Sequence, residues 1–273
     1  MLINLLSFLI IFICGLIVGA LLNLTAKAVS YTEPRTAFFS QCHACDRKWQ
    51  WKYLLPAAGY ILCKRRCPYC QAALPARIIV IEIFTALLFT YIYWRYGLSW
   101  ETAMLLFYSA VFIILLITDI EQMLLPNIIT YPAMIAALAI ALLLTLFNYV
   151  PVWAFTFSAT GFWGLLNNYL LNSVLGGATG FILLLIVAMI FRGGMGGGDI
   201  KLAGLMGLVM GFPLIIVALF LGIMGGGLIA AFLLIARLKG RKETMPFGPF
   251  LCLASIATLL WGKELLLWYL RLI

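Results

Sequence analysis

Runs of about 20 apolar residues, the length a helix needs to cross a hydrocarbon core, recur along the whole chain with short polar breaks between them. They predict membrane-spanning helices near residues 2–24, 78–94, 102–118, 128–148 and 172–191, then a glycine-broken apolar stretch over 200–236, then a last span over 247–262. One long polar segment, about 25–77, interrupts the series after the first span. The 36 residues from 201 to 236 make about 54 Å of helix, enough for two short or tilted crossings that turn near Gly211-Phe212-Pro213. Glu264 to Ile273 read as an interfacial amphipathic tail rather than a further span. The pattern predicts an all-α polytopic membrane protein with about eight transmembrane helices. Its parts are a first helix at 1–24, a polar segment at 25–77, a helical core at 78–263 and a tail at 264–273.

Composition excludes the water-facing alternatives. Of the 273 residues 65% are hydrophobic and 10% charged, against roughly 45–50% and about 25% in a soluble domain. A cleaved signal peptide would account for the first apolar run and for none of the others. A secreted disulfide scaffold, a coiled coil and a disordered tail are excluded as well.

The net charge of +9, from 18 basic and 9 acidic residues, matters through its placement. Nine basic residues crowd the polar segment: Lys27, Arg35, Arg47, Lys48, Lys52, Lys64, Arg65, Arg66 and Arg77. Basic loops stay on the cytoplasmic side, so this segment is expected there. Alternation of eight spans then puts 15 of the 18 basic residues inside and leaves Arg95, Lys263 and Arg271 outside, with both termini outside. No internal repeat of the inverted-transporter kind is visible.

Four of the seven cysteines form two C-x-x-C knuckles, Cys42 with Cys45 and Cys67 with Cys70, separated by 21 residues. Two such knuckles resemble a tetrahedral zinc site, since each turns two thiolates toward one ion. The reducing side of the membrane favours thiolate ligation over disulfides. With four ligands and no open position, the zinc is expected to be structural, stapling a segment with too little core to fold alone. His43 and Cys63 are expected to be non-ligands, and Cys14 and Cys252 small core residues. The basic face with Trp49, Trp51 and Tyr53 suits anionic lipid headgroups; a nucleic-acid partner is not expected so close to a bilayer.

The nine acids can be sorted individually. Glu33, Asp46 and Glu243 fall in cytoplasmic loops, and Glu101 and Glu264 at outer ends. Glu82, Asp119, Glu121 and Asp199 remain, and an ionisable group at membrane depth is a functional candidate by default. Asp119 in LLITDIEQMLLPN and Asp199 in GMGGGDIK are 80 residues apart, yet both fall at cytoplasmic ends of spans. Brought together in a poorly hydrated site, two carboxyls would share a proton, one acting as base and the other as acid. An aspartic protease needs that arrangement. Taken alone, Asp199 reads equally as a helix N-cap, and Asp119 and Glu121 as a solvated span end. Glu82 reads as a helix-end residue paired with Arg77 or lipid water, or as support for the acids. Gly193, Gly194, Gly196, Gly197 and Gly198 would let backbone approach a substrate.

The order C-x-x-C, C-x-x-C, D-x-E-x-x-x-L-P-N and G-x-G-D-x-K among these spans resembles the bacterial type IV prepilin peptidases. The likeness extends over Gly15 to Asn23, Pro75 to Leu87, Asp199 to Gly207 and the PFGPF turn at Pro246 to Phe250. It implies Asp119 and Asp199 as catalytic aspartates, with Gly196 and Gly198 as motif glycines, Lys201 following, and Glu121 and Glu82 supporting. Asn127 stands where Asp is frequent. It further implies cleavage of type IV prepilins or type II secretion pseudopilins after a glycine that ends a basic leader, on the cytoplasmic face of the bacterial inner membrane. Many such enzymes then methylate the new amine with S-adenosylmethionine. Leu54 to Tyr60 and Ala26 to Val29 depart from the family pattern, and no Rossmann-type glycine loop is present to place the methyl donor. Peptidase activity without methylation is therefore the alternative. A cation-coupled transporter would want duplicated halves or paired broken helices, of which only one is seen. A chemically inert assembly platform would tolerate Asn at both aspartates.

Overall fold

In the computed structural model, the residues described are 2–30, 66, 69–72, 76–155, 167–190, 196–236 and 246–272. They form eight α-helices: α1 (Leu2–Ser30), α2 (Arg77–Tyr96), α3 (Trp100–Gln122), α4 (Asn127–Leu146), α5 (Tyr169–Ile190), α6 (Gly197–Met210), α7 (Leu214–Ile235) and α8 (Gly248–Leu270). All but α6 are long and apolar enough to cross a membrane, seven candidates among the described residues. Large apolar side chains stand exposed along α4 and α7, among them Ile128, Ile135, Leu146, Phe220, Phe232 and Ile235. Such a surface suits lipid rather than water. The chain divides into two compact units, 1–117 and 118–273, with the boundary inside α3.

In the first unit α1 and α2 pack antiparallel. Phe8 meets Tyr93 edge to face at 5.4 Å. A Cβ at Gly15 would lie 2.6 Å from Ala86 Cα and one at Gly19 2.8 Å from Glu82 Cα, so the glycines admit the backbone of α2. One further turn along, Asn23 Nδ2 donates to Ile78 O at 3.2 Å. Each step forward on α1 is matched by an equal step back on α2. The turn into α3 uses Gly97 at φ 65°, in the left-handed region, and Ser99 Oγ accepts the Thr102 amide at 3.2 Å as an N-cap. Trp94, Leu98 and Trp100 around this turn are exposed, as in an interfacial aromatic belt.

In the second unit the short helix α6 touches α4, α5, α7 and α8. Beyond Lys201 it is apolar on every side, and Leu202 to Gly207, Val209 and Met210 are buried, as befits a helix segment with no free face. Gly176, Gly177 and Gly180 on α5 bring the two backbones together. A Cβ at Gly176 would sit 2.6 Å from Gly211 Cα, and one at Gly177 2.7 Å from a Leu208 methyl. The far end of α6 is closed by side chains of α5. Tyr169 donates to Val209 O at 3.1 Å, Ser173 donates to Leu208 O, and Asn172 Oδ1 accepts the Phe212 amide at 2.6 Å. Gly211, at φ 73°, starts the turn into α7. Backbone groups at membrane depth need such partners because lipid offers none.

Two boundaries differ from the sequence reading. The first helix runs on to Ser30, with Thr25 Oγ1 bonding back to Leu21 O at 2.9 Å. The last helix runs unbroken from Gly248 to Leu270, through the residues expected to form a separate tail. The charged pair Lys263-Glu264 does not end it, because a long basic side chain can reach sideways for a polar partner. Lys263 Nζ finds Val152 O at 3.5 Å. The expected turn at Gly211-Phe212-Pro213 is where the glycine-broken stretch divides.

Candidate active site

Asp119 lies in the last two turns of α3 and is 4% exposed. Its Oδ2 is buried and has no hydrogen-bond partner among the described residues. The first residue of α8, Gly248, presents its backbone amide to the Asp119 carboxyl. A Cβ there would lie 2.6 Å from Oδ2 and 2.9 Å from Cγ. Asp199 lies in the first turn of α6, whose N-cap is Gly196. Its amide donates to Gly196 O at 3.1 Å. Asp199 is therefore the third residue of the helix and not its N-cap, which leaves its carboxyl available for other work. It is half-buried.

The charge of Asp119 bears on the Asp199 carboxyl, 80 residues away in sequence. Cys252, one turn along α8 from Gly248 and fully buried, feels both of them. The ends of α3, α6 and α8 thus converge on one polar point in an apolar unit. A buried acid with an unpartnered oxygen beside a second acid is suited to holding a water and passing protons.

The segment between α3 and α4 is drawn onto α6 beside this point. A Cβ at Gly198 would meet Leu125 Cβ at 3.2 Å, so a side chain there would press the two apart. Lys201 Nζ donates to Asn127 Oδ1 at 2.9 Å and lies 5.2 Å from the Tyr131 ring centre. Glu121 is partly exposed two residues beyond Asp119. Glu82 belongs to the first unit, where it is buried on α2 opposite Gly19 rather than solvated at a helix end. Of the zinc candidates, Cys42, Cys45 and Cys67 lie outside the described residues; Cys70 is described and exposed. Gly193 and Gly194 also lie outside them.

Sequence reading did not single out three of these neighbours. Gly248 entered it only as part of the PFGPF turn, Cys252 as a core residue, and Tyr131 not at all. The four-residue spacing of Gly248 and Cys252 puts them on one face of α8, but nothing in the sequence says what that face meets.

A helical, multi-pass membrane protein with two acids in electrostatic reach of one another defines the class, and comparison with known proteins narrows it. The description Bacterial Peptidase A24 N-terminal domain matches residues 13–96, and Type IV leader peptidase family matches residues 105–233. A Pseudomonas putida protein named prepilin leader peptidase/N-methyltransferase is 31% identical over 231 residues, 83% of this chain and 73% of that protein. Proteins of the same name from Bacillus subtilis (strain 168) and Pseudomonas aeruginosa are 28% and 26% identical; the first comparison covers 96% of this chain and 98% of the relative, the second 88% and 79%. No solved structure matches the chain. The chain belongs to the type IV leader peptidase family and is a membrane peptidase.

Proposed function

We propose that this enzyme cuts the basic leader from type IV prepilins or type II secretion pseudopilins after a glycine, with Asp119 and Asp199 as its catalytic pair, on the cytoplasmic face of a bacterial inner membrane. The observation that carries this reading is that Asp199 lies within electrostatic reach of the buried Asp119, whose Oδ2 has no partner among the described residues. The ionised carboxyl takes a proton from the water as its oxygen attacks the scissile carbonyl. The protonated one donates to the carbonyl oxygen; the carboxyl that took the water's proton then passes it to the scissile nitrogen, the other takes back the hydroxyl proton, and the C–N bond breaks to release the leader carboxyl and a new amine. The glycine-rich approach at Gly196 to Gly198 leaves room for an extended substrate backbone. The basic loops support the cytoplasmic orientation.

Methylation of the new amine is the second half of the reading, supported by the relatives' names. S-adenosylmethionine would supply the methyl group when bound; no residue of this chain is assigned to it. Zinc suits Cys42, Cys45, Cys67 and Cys70 by donor chemistry, four thiolates closing a structural site. Cys70→Ser is expected to lower bound zinc from about one ion per chain to well below half, measured by elemental analysis; an undiminished content would remove Cys70 from the ligand set.

The test of the main reading is purified enzyme in lipid vesicles with a full-length prepilin. A shortened product beginning just after the leader glycine is expected, and its mass reports whether one methyl has been added. An uncut prepilin would overturn the reading, and a cut but unmethylated one would favour peptidase activity alone. In the same assay, Gly248→Ala is expected to slow cleavage about 100-fold through displacement of the Asp119 carboxyl. Gly248 is not in the left-handed region, so alanine suits its backbone and the effect acts through the acid. Cleavage within a few-fold of wild type would show that the carboxyl can move aside at little cost.

A further inference from the structure

Three residues near the acids do no chemistry in this scheme, yet they join the two segments that carry them. Asp119 is followed by the turn at 123–126 and then by Asn127, the first residue of α4. Lys201 follows Asp199 by two residues in α6. Its ammonium donates to Asn127 Oδ1 at 2.9 Å and sits over Tyr131 at 5.2 Å from the ring centre. Asn127 and Tyr131 are four apart and share a face of α4. Two residues along a helix turn the side chain by about 200°. Lys201 therefore faces away from the side of α6 that bears Asp199.

We propose that Asn127, Lys201 and Tyr131 form a clasp that fixes the Asp119 segment against the Asp199 helix, making Lys201 a positioning residue for peptide cleavage. This rests on the reading of Asp119 and Asp199 as the catalytic pair. The clasp closes between residues 74 apart in sequence and lies beside the Leu125 and Gly198 contact, where the two segments are already tight. An ammonium held by an amide oxygen and an aromatic face resists sliding of α6 along its axis better than apolar contact does, because both interactions are directional. The glycine seam with α5 and the bonds from Tyr169, Ser173 and Asn172 hold the far half of α6; the clasp holds the end that bears Asp199.

The experiment is kinetic, on the full chain in vesicles with a prepilin substrate and with each variant first shown to be monodisperse. Lys201→Met keeps the apolar stem and loses the donor; Asn127→Leu loses the acceptor. Each is expected to lower kcat about 10–100-fold, as misplacement of catalytic groups does, with KM changed less than about threefold. The double variant should be no slower than either single, since both break one interaction. Lys201→Arg and Asn127→Asp, which keep a donor and an acceptor, should stay well above Lys201→Met, and the exchanged pair Asn127→Lys with Lys201→Asn should recover most of the lost rate. Lys201→Met at the wild-type rate would overturn the clasp. So would an exchanged pair as slow as Lys201→Met, which would mean that Lys201 acts on the substrate directly. A wild-type enzyme that leaves prepilin uncut is a different result, and it removes the catalytic reading itself.

Discussion

Asn at position 119 or 199 is expected to lower prepilin cleavage by about 1000-fold or more, the upper part of the range for general acid and base groups. The substitution keeps the shape of the side chain and removes only its ability to take or hold a proton. At Asp119 the environment is unusually tolerant of the change, because Oδ2 has no partner among the described residues and an amide there breaks no hydrogen bond of that oxygen. Loss of activity with intact folding is therefore the expected combination, read by single-turnover cleavage alongside size-exclusion of the detergent-solubilised protein. One carboxyl alone can hold a water but cannot also protonate the carbonyl, so the double variant should be no worse than either single. Cleavage within tenfold of wild type in either single variant would sink the assignment. The inert-platform and transporter readings both predict an uncut prepilin with the wild type.

Gly207→Leu is expected to leave almost no correctly folded protein. A Cβ at Gly207 would come within 2.7 Å of the Gly177 amide nitrogen, and backbone cannot rotate out of the way as a side-chain tip can. The helices α5 and α6 would have to separate along a seam where Gly176, Gly177 and Gly180 allow close approach. Overpacking in a core costs about 1–3 kcal/mol for an added methylene or so, and a whole isobutyl group against backbone exceeds that. The same separation would carry Asp199 away from Asp119, because α6 is one short rigid rod. Gly225→Leu is the internal control, since nothing lies within 4 Å of a Cβ there. Quantifying the monodisperse fraction after solubilisation separates the two, and equal yields would show that the α5 and α6 seam is looser than its geometry implies.

The order of helices was legible in the sequence because lipid imposes a length and a polarity on every crossing. The division of 200–236 at Gly211 could be read for the same reason, since no single helix of that length fits a bilayer. Asp119 and Asp199 could be picked out because acids are so few and so costly at depth. The arrangement of helices around them could not. In water an apolar stripe tells which face of a helix turns inward, but α6 and α7 are apolar all round, so the stripe is lost. The partners of α6 are set instead by small residues, and a glycine such as Gly176 looks the same in sequence whether it admits a backbone, as it does, or faces open space, as Gly225 does. Gly248 could not be foreseen beside Asp119, because they are 129 residues apart and their meeting depends on that packing. The continuity of α8 through Lys263 and Glu264 is not legible in the sequence either, because a charged pair reads as a change of element where a side chain that reaches sideways suffices.

The length of α6 bears on how the topology can be measured. Its 14 residues reach about 21 Å, whereas a hydrocarbon core is about 30 Å thick. If, as proposed, Asp199 lies at one membrane face, the turn at Gly211-Phe212-Pro213 stops roughly 12 Å short of the other. A water-soluble label aimed at Phe212, or a reporter domain fused there, would meet acyl chains instead of the aqueous compartment. Such probes would miss the hairpin made by α6 and α7, while leaving the side assigned to every other loop unchanged.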